Sequence, residues 1–256
     1  MAERAVRINT PDEVERIRES SQIVGRCLLL LSKEVRPGVT TQELDRLAEE
    51  FIRAQGGEPA FKGYRGYPAS ICASINEEVV HGIPSGKRVL KEGDVVSLDI
   101  GVKKAGFYGD AARTFAVGSI DEAAQRLLEA TERSLYAGID QARPGGRVSD
   151  ISSAIEREIK QSGFSVVRAL VGHGVGRELH EEPQVPNYGR PGEGPRLKTG
   201  MVLAIEPMVN TGGADVITLA DQWTVVSADR SRSAHFEHTV AIGADGPVVL
   251  SLVEAD

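Results

Sequence analysis

The sequence has few of the residues that cross-link secreted domains or anchor a chain in a membrane. Among 256 residues only Cys27 and Cys72 are cysteine, so at most one disulfide could form. A chain of this length can bury a stable core without one, and we expect both thiols to be reduced. No apolar run is longer than Cys27–Leu31, whereas a membrane helix needs ~20 apolar residues. The N-terminus is polar and lacks a signal-peptide core, so the sequence predicts a cytoplasmic protein that does not bind membranes.

Basic charge is also scarce. The chain has 37 Asp and Glu against 30 Lys and Arg, a formal net charge of -7. No stretch groups Lys and Arg into a basic block. The composition therefore argues against direct binding of nucleic acid. Association with the ribosome stays open, with no basic patch to support it.

The order of helical and strand-like segments indicates an α+β fold. Thr10-Pro11-Asp12-Glu13 is typical of a helix start, and a second helix is predicted from Thr40 or Thr41 to about Gly56. Further helices are predicted over about 121–141 and 149–162, and strands over 95–102, 107–117, 201–209, 223–226 and 238–242. These segments do not follow the βαβ alternation of a parallel sheet.

When the sequence is aligned with itself at a shift of 107 residues, two separate segments match. That offset aligns Arg36-Pro37-Gly38 with Arg143-Pro144-Gly145 and, much later, Asp99 with Glu206. We interpret this as a duplicated unit of helices followed by strands, with chance similarity and shared turn residues as the alternative. The prediction is a single domain, residues 1–256, whose halves are about 11–118 and 119–250.

Two acidic residues lie on a predicted hairpin in the first half. A four-residue loop, Lys103-Lys104-Ala105-Gly106, would pair Val102 with Phe107 and so place Asp99 directly opposite Asp110. Facing carboxylates on apolar strands repel each other and are costly to desolvate. We therefore expect a cation between them, with two carboxyl groups that share one proton as the alternative.

The second half supplies further metal-ligating side chains. Glu206 and Glu237 lie on apolar strands, and His173 lies between glycines that allow close backbone approach. Four carboxylates with one imidazole favour two adjacent divalent ions, with Mn, Fe or Co as the natural choices and Zn also compatible. Such a pair activates water and stabilises an oxyanion, which predicts hydrolysis of an amide or a phosphoester.

The remaining histidines divide into two groups. His81 and His180 lie in Gly- or Pro-containing segments and are candidates for substrate hydrogen bonds and proton transfer. His235 and His238 are interpreted as structural residues.

Taken together, these residues resemble the type I methionine aminopeptidases of the pita-bread metallopeptidase family. The likeness extends from about Thr10 to Val253 and rests on the ordered ligand set and on the strings Gly66-Tyr67-Pro68, Ser74-Ile75-Asn76-Glu77, His81-Gly82-Ile83-Pro84, Gly172-His173-Gly174-Val175-Gly176, Glu206-Pro207 and Glu237-His238-Thr239. It implies two pseudo-symmetric halves with a curved, mainly antiparallel sheet covered by helices. No long or Cys-rich extension precedes Thr10, as in the minimal bacterial form.

The resemblance also implies a role for each site residue. Asp110 and Glu237 would bridge two metal ions, Asp99 would chelate one, and His173 with Glu206 would hold the other. Glu206 would also be the base for the bridging water that attacks the scissile amide. The other implied assignments are His180 to the scissile carbonyl, His81 to the substrate backbone, Tyr64, Tyr67, Cys72 and Trp223 to the methionine pocket, and Asn76 and Ser233 to a monovalent cation.

The implied function is removal of the initiator methionine from nascent or newly made proteins by a monomeric enzyme, favoured by a small second residue. Arg65 and Tyr108 stand where some members have His, and Leu179 where some have Phe, so substrate tolerance is open. Two alternatives remain. One is a Pro-specific aminopeptidase or prolidase, and the other is a binding protein of the same fold that has lost catalysis.

Overall fold

The structure, a computed structural model of the chain, describes residues 6–253, so the predicted domain of residues 1–256 extends beyond them at both ends. Its helices are α1 (Pro11–Ser32), α2 (Thr41–Ala54), α3 (Glu122–Ile139) and α4 (Val148–Ser162), with a short 3₁₀ turn at Tyr64–Gly66. The strands are β1 (Glu58–Pro59), β2 (Cys72–Ile75), β3 (Glu78–Val80), β4 (Val95–Lys104), β5 (Phe107–Ala116), β6 (Ser165–Val166), β7 (Val171–Gly174), β8 (Glu181–Pro186), β9 (Val202–Ile205), β10 (Met208–Asn210), β11 (Val216–Thr218), β12 (Val225–Ser227), β13 (Ser233–His235), β14 (His238–Ile242) and β15 (Pro247–Val249). Within residues 6–253 no helix is long and apolar enough to cross a membrane.

The first half packs α1 and α2 against an antiparallel sheet. In that sheet β4 pairs with β1 and β2 on one side and with β5 on the other. The predicted start of α1 is confirmed, because Thr10 and Glu13 form a reciprocal capping box. Leu98 and Ile100 of β4 belong to the core under the helices, so Asp99 between them faces the opposite side of the sheet.

The β4–β5 hairpin has a different register from the predicted one. Its loop has two residues, Ala105 and Gly106, whose φ angles of 49° and 82° are typical of a type I′ turn. Asp99 therefore pairs with Ala112, and Gly101 pairs with Asp110. The predicted direct opposition of Asp99 and Asp110 is wrong. Since the register differs by two residues, both carboxylates nevertheless lie on the same face as diagonal neighbours.

The second half packs α3 and α4 against the five-stranded antiparallel sheet β15-β14-β9-β7-β8. The strand predicted over 201–209 is wrong as a single element. It divides into β9 and β10, which join different sheets on either side of Glu206-Pro207. Pro207 has no N–H to donate to a ladder, so the chain leaves the first sheet there. This break places Glu206 at the end of β9.

Two threonine hydroxyls join the halves in the same way. Thr114 Oγ1 donates to His235 O at 2.9 Å and accepts from His235 N at 2.9 Å. Thr239 Oγ1 donates to Asp110 O at 2.7 Å and accepts from Asp110 N at 3.0 Å. Between these pairs, Glu237 N donates to Ala112 O at 2.8 Å. These bonds hold Asp110 of one half next to Glu237 of the other.

Replacing one of these threonines is expected to destabilise the fold. Thr239→Val keeps the side-chain shape but leaves the buried N–H and C=O of Asp110 without that partner, which should cost about 2–4 kcal/mol. Urea unfolding in the presence of a chelator measures this without a contribution from metal. The matched control is Thr131→Val, because that buried hydroxyl only donates to Leu127 O within α3. Equal losses in the two variants would contradict the proposed importance of the junction.

Candidate metal centre

The predicted site residues converge on one cavity of about 150 Å³ between the two sheets. Its lining includes every residue assigned above to the metal ions, the reaction or the methionine pocket: Tyr64, Tyr67, Cys72, His81, Asp99, Asp110, His173, His180, Glu206, Trp223 and Glu237. Phe61, Arg65 and Leu179 complete it. Asp99 and Asp110 lie on β4 and β5 of the first half, whereas Glu206 directly follows β9 and Glu237 directly precedes β14 in the second, so the cavity exists only where the halves meet.

The potential ligand atoms are close enough to share metal ions. One ligand atom from each of Asp110, His173 and Glu237 lies within 4.8 Å of the other two. His173 Nε2 is 3.5 Å from Glu206 Oε1 and 4.0 Å from Asp110 Oδ2. His173 Nδ1 lies 2.9 Å from Gly174 O, so Nδ1–H donates to that carbonyl and Nε2 keeps its lone pair. The imidazole is thus oriented as a metal ligand.

Among the described residues, the carboxylates at the cavity have no Lys or Arg partner to offset the cost of burying their charge. Asp110 and Glu237 are buried, and Asp99 and Glu206 border the cavity. Asp99 Oδ1, Asp110 Oδ1 and Glu237 Oε1 are buried without a hydrogen-bond partner. In the described part of the chain no Lys or Arg lies within 4.0 Å of these carboxylates. Unpaired carboxylate oxygens together with the available Nε2 of His173 fit hard or borderline divalent cations.

Burial changes the acidity of all four groups, and repulsion by neighbouring carboxylates adds to it for Asp99, Asp110 and Glu237. Desolvation, with the Glu206 charge nearby, raises the pKa of Asp99 to about 7, and desolvation raises the pKa of Glu206 to about 7. The pKa values of Asp110 and Glu237 lie well above the ordinary range because desolvation and neighbouring carboxylates act together. Bound cations would reverse these shifts by stabilising the ionised forms.

His180 and His81 line the same cavity without contacting the metal ligands through a hydrogen bond. Tyr64 Oη lies 3.0 Å from His180 Nδ1, so donation by the tyrosine hydroxyl leaves His180 Nε2–H free to donate. Desolvation, with the nearby His173 and Arg65 side chains, lowers the pKa of His180 below its ordinary value. Desolvation lowers the pKa of His81 to about 4. Both imidazoles are therefore neutral at pH 7.

An apolar compartment forms one end of the cavity. Tyr67, Cys72, Leu179 and Phe61 are buried together, with Trp223 packed against them. The Tyr67 hydroxyl donates to Ile71 O and Gly82 O, both at 3.1 Å, which fixes the ring. Desolvation holds the pKa of the Cys72 thiol well above its ordinary value, so Cys72 lines the compartment as an apolar group. Phe61 was not predicted, because a Phe in a loop carries no distinguishing signal.

His235 is the site residue that sequence reasoning missed. Its Nε2 lies 3.6 Å from Glu206 Oε2, and neither ring nitrogen has a hydrogen-bond partner. Residues 236 and 237 interrupt the chain between β13 and β14, so strand alternation gives no signal that would have identified His235. His238 lies outside the cavity, where it contacts Tyr136 Oη at 3.3 Å and Ser251 Oγ at 2.8 Å, in agreement with a structural role.

Asn76 and Ser233 lie together but do not line the cavity. Ser233 N donates to Asn76 O at 2.8 Å, and Ser233 Oγ donates to Val209 O at 3.2 Å. Asn76 has a φ of 55°, a conformation that turns the chain sharply between β2 and β3. The monovalent cation at this position stays a prediction.

The fold and the site match known proteins over nearly the whole chain. The sequence profile of metallopeptidase family M24 matches residues 15–244. Methionine aminopeptidase 1 of Bacillus subtilis (strain 168) is 55% identical over 244 residues, 95% of this chain and 98% of the relative. The crystal structure of methionine aminopeptidase from Thermotoga maritima superposes with a TM-score of 0.96 at 46% identity and covers 97% of this chain and 100% of its own. Prolidase from Pyrococcus furiosus has a TM-score of 0.77 at 25% identity, and the match covers 66% of its chain.

Fold and site together define a pita-bread hydrolase whose catalytic centre requires divalent metal ions. The chain belongs to metallopeptidase family M24 and, within it, to the type I methionine aminopeptidases. The expected fold class and the family resemblance are both confirmed.

Proposed function

We propose that this metallopeptidase removes the N-terminal methionine from nascent or newly made proteins and prefers a small second residue. The observation that carries the proposal is the pairing of an acidic metal centre with an apolar compartment in one cavity. An unbranched thioether side chain suits a pocket of aromatic and aliphatic groups with a buried thiol. Full-length similarity to methionine aminopeptidases supports the same assignment.

Two divalent ions, with Mn, Fe or Co as candidates and Zn also compatible, are proposed at this centre. Asp110 and Glu237 would hold both ions, Asp99 would complete one site, and His173 with Glu206 would complete the other. Bound there, the ions would supply the Lewis acidity that lowers the pKa of water and stabilises an oxyanion. The unpaired oxygens of Asp99, Asp110 and Glu237 support this assignment.

The protein's own residues would orient the peptide and move its protons. Glu206 would accept a proton from the attacking water and return it to the leaving amine. The neutral His180 would donate Nε2–H to the scissile carbonyl, supported by its contact with Tyr64. His81 would contact the substrate backbone, and Tyr64, Tyr67, Cys72 and Trp223 would surround the methionine side chain. We further propose that the enzyme acts in the cytoplasm as a monomer.

Peptide hydrolysis tests this assignment against its two alternatives. With added Mn or Co, the enzyme is expected to release free methionine from Met-Ala-Ser far faster than alanine from an Ala-Pro peptide. Preference for the Ala-Pro peptide would indicate a prolidase-type enzyme instead. No cleavage with Mn, Co, Fe or Zn would favour a binding protein that has lost catalysis.

A further inference from the structure

Arg65 lies at the mouth of the cavity, beside the residues that would hold the scissile bond. It lines the cavity but is exposed, and its guanidinium carbon lies 5.3 Å from the centre of the Tyr64 ring. Tyr64 in turn stacks on His180 with ring centres 5.4 Å apart. Gly63, Arg65 and Gly66 all have positive φ, with 49° at Arg65, so the chain forms a tight turn here. The turn holds the Arg65 side chain at the edge of the cavity. The guanidinium therefore belongs to the rim of the site.

The charge of Arg65 is not neutralised by the protein. Arg177 pairs with Glu13 at 2.8 Å, Arg7 with Glu181 at 3.7 Å, and Arg88 with Glu78. By contrast, no carboxylate among residues 6–253 lies within 4.0 Å of Arg65, whose guanidinium packs over the Tyr64 ring. Stacking on a ring face leaves the edge N–H groups of a guanidinium available to an anion.

The direction of the substrate chain follows from the cavity. If the methionine side chain fills the compartment of Tyr67, Cys72 and Trp223 and the scissile carbonyl meets His180, the residues after the scissile bond must leave through the open end. Arg65 and His180 are the exposed residues of the cavity lining, so Arg65 borders that exit. The second residue is small under the proposed function, so the third is the first whose side chain can reach the rim.

We infer that Arg65 is a specificity-determining residue that binds a carboxylate of the substrate's third residue. The inference rests on the proposed function. The carboxylate can be an Asp or Glu side chain or, in a tripeptide, the C-terminal group, because the planar guanidinium pairs with either in the same way. Arg65 also supplies local attraction for acidic N-termini, which a chain of net charge -7 would otherwise repel.

Matched peptide pairs test the inference. The first pair is Met-Ala-Glu-Ser-amide against Met-Ala-Gln-Ser-amide, which differ by one charge at nearly constant shape. Wild type is expected to show a kcat/KM ratio of ~2 to 5 in favour of Glu, the range of an exposed ion pair, and this ratio should fall towards one at about 1 M salt. The second pair, Met-Ala-Gln as free acid and as amide, reports the terminal carboxylate separately.

The variants separate a charge contact from a structural role. Arg65→Gln should bring both ratios to one, and Arg65→Lys should restore part of them because it keeps the charge. Arg126→Gln is the matched control, since Arg126 is an exposed arginine on α3 outside the cavity, and its ratios should equal those of wild type. A loop that merely loses order would slow all peptides equally and leave the ratios unchanged.

The possible failures are distinguishable. Cleavage of both tetrapeptides by wild type with a ratio of one, together with no preference for the free acid, would overturn the inference and leave the proposed function intact. A Glu preference that persists in Arg65→Gln would also overturn it. Failure to cleave the Gln peptide at all would instead contradict the proposed function.

Discussion

Glu237→Gln is expected to abolish methionine release while the fold is retained. Glu237 is buried with Oε1 unpartnered, and its own N–H bond to Ala112 O keeps the backbone in place when the side chain changes. The amide has the same size but loses the negative charge and one anionic oxygen. Mutation of a residue that only hydrogen-bonds a metal ligand typically lowers metal affinity or activity by ~10- to 100-fold. Loss of a direct ligand should therefore lower kcat/KM by more than about 100-fold. Asp99→Asn is expected to act in the same way.

Metal content and circular dichroism complete this experiment. The variant should bind fewer divalent ions than wild type at equal free metal and should keep its far-UV spectrum. Glu132→Gln on α3 removes an equal charge outside the cavity and should leave both activity and metal content unchanged. Wild-type turnover in Glu237→Gln, with full metal content, would show that Glu237 is not a ligand.

The second large effect is the pH dependence of the metal-free protein. Asp99 and Glu206 have pKa values of about 7 when folded, against ordinary values of 3.8 and 4.5. Between those limits both carboxyl groups bind protons in the native state and not in the unfolded state, and Asp110 and Glu237, whose pKa values are raised further, add to this effect. The buried histidines, whose pKa values are lowered from 6.5, act in the opposite direction, but the four carboxyl groups outweigh them, so the free energy of unfolding falls as pH rises. We therefore expect the metal-free protein to be more stable at pH 5.5 than at pH 7.5.

Divalent metal should reverse this trend. Because bound ions require ionised carboxylates, metal is expected to stabilise the protein more at pH 7.5 than at pH 5.5. At 100 times the dissociation constant the gain is about 2.7 kcal/mol. Urea unfolding at both pH values, with chelator and with Mn²⁺, measures the free energy of unfolding under all four conditions. A metal-free protein whose stability rises with pH, or does not respond to metal, would contradict the burial of these carboxylates around a cation site.

The hairpin of β4 and β5 illustrates how much of the fold and site was predictable. The predicted hairpin places Asp99 and Asp110 on one face of the sheet, and the structure has them there as diagonal neighbours. The exact register depends on the loop, and both Ala105 and Gly106 adopt positive φ. Ala is not a usual residue for that conformation, so the two-residue turn had no clear sequence signal.

Other features depend on tertiary contacts that local patterns do not encode. The break at Glu206-Pro207 sends β10 to a different sheet, although the mainly apolar segment 201–209 is predicted as one strand. His235 was assigned a structural role because a lone histidine on an apolar strand usually has one. Its position 3.6 Å from Glu206 Oε2 arises from the packing of β13 against the other half. The duplication with halves 11–118 and 119–250 stays a prediction.

The most direct test of the metal centre is a crystal structure grown with Mn²⁺, with anomalous differences collected at a wavelength where Mn scatters strongly. We expect two peaks ~3.5–4 Å apart, surrounded by Asp99, Asp110, His173, Glu206 and Glu237. Absence of anomalous density among these five residues, or peaks only elsewhere on the protein, would contradict it.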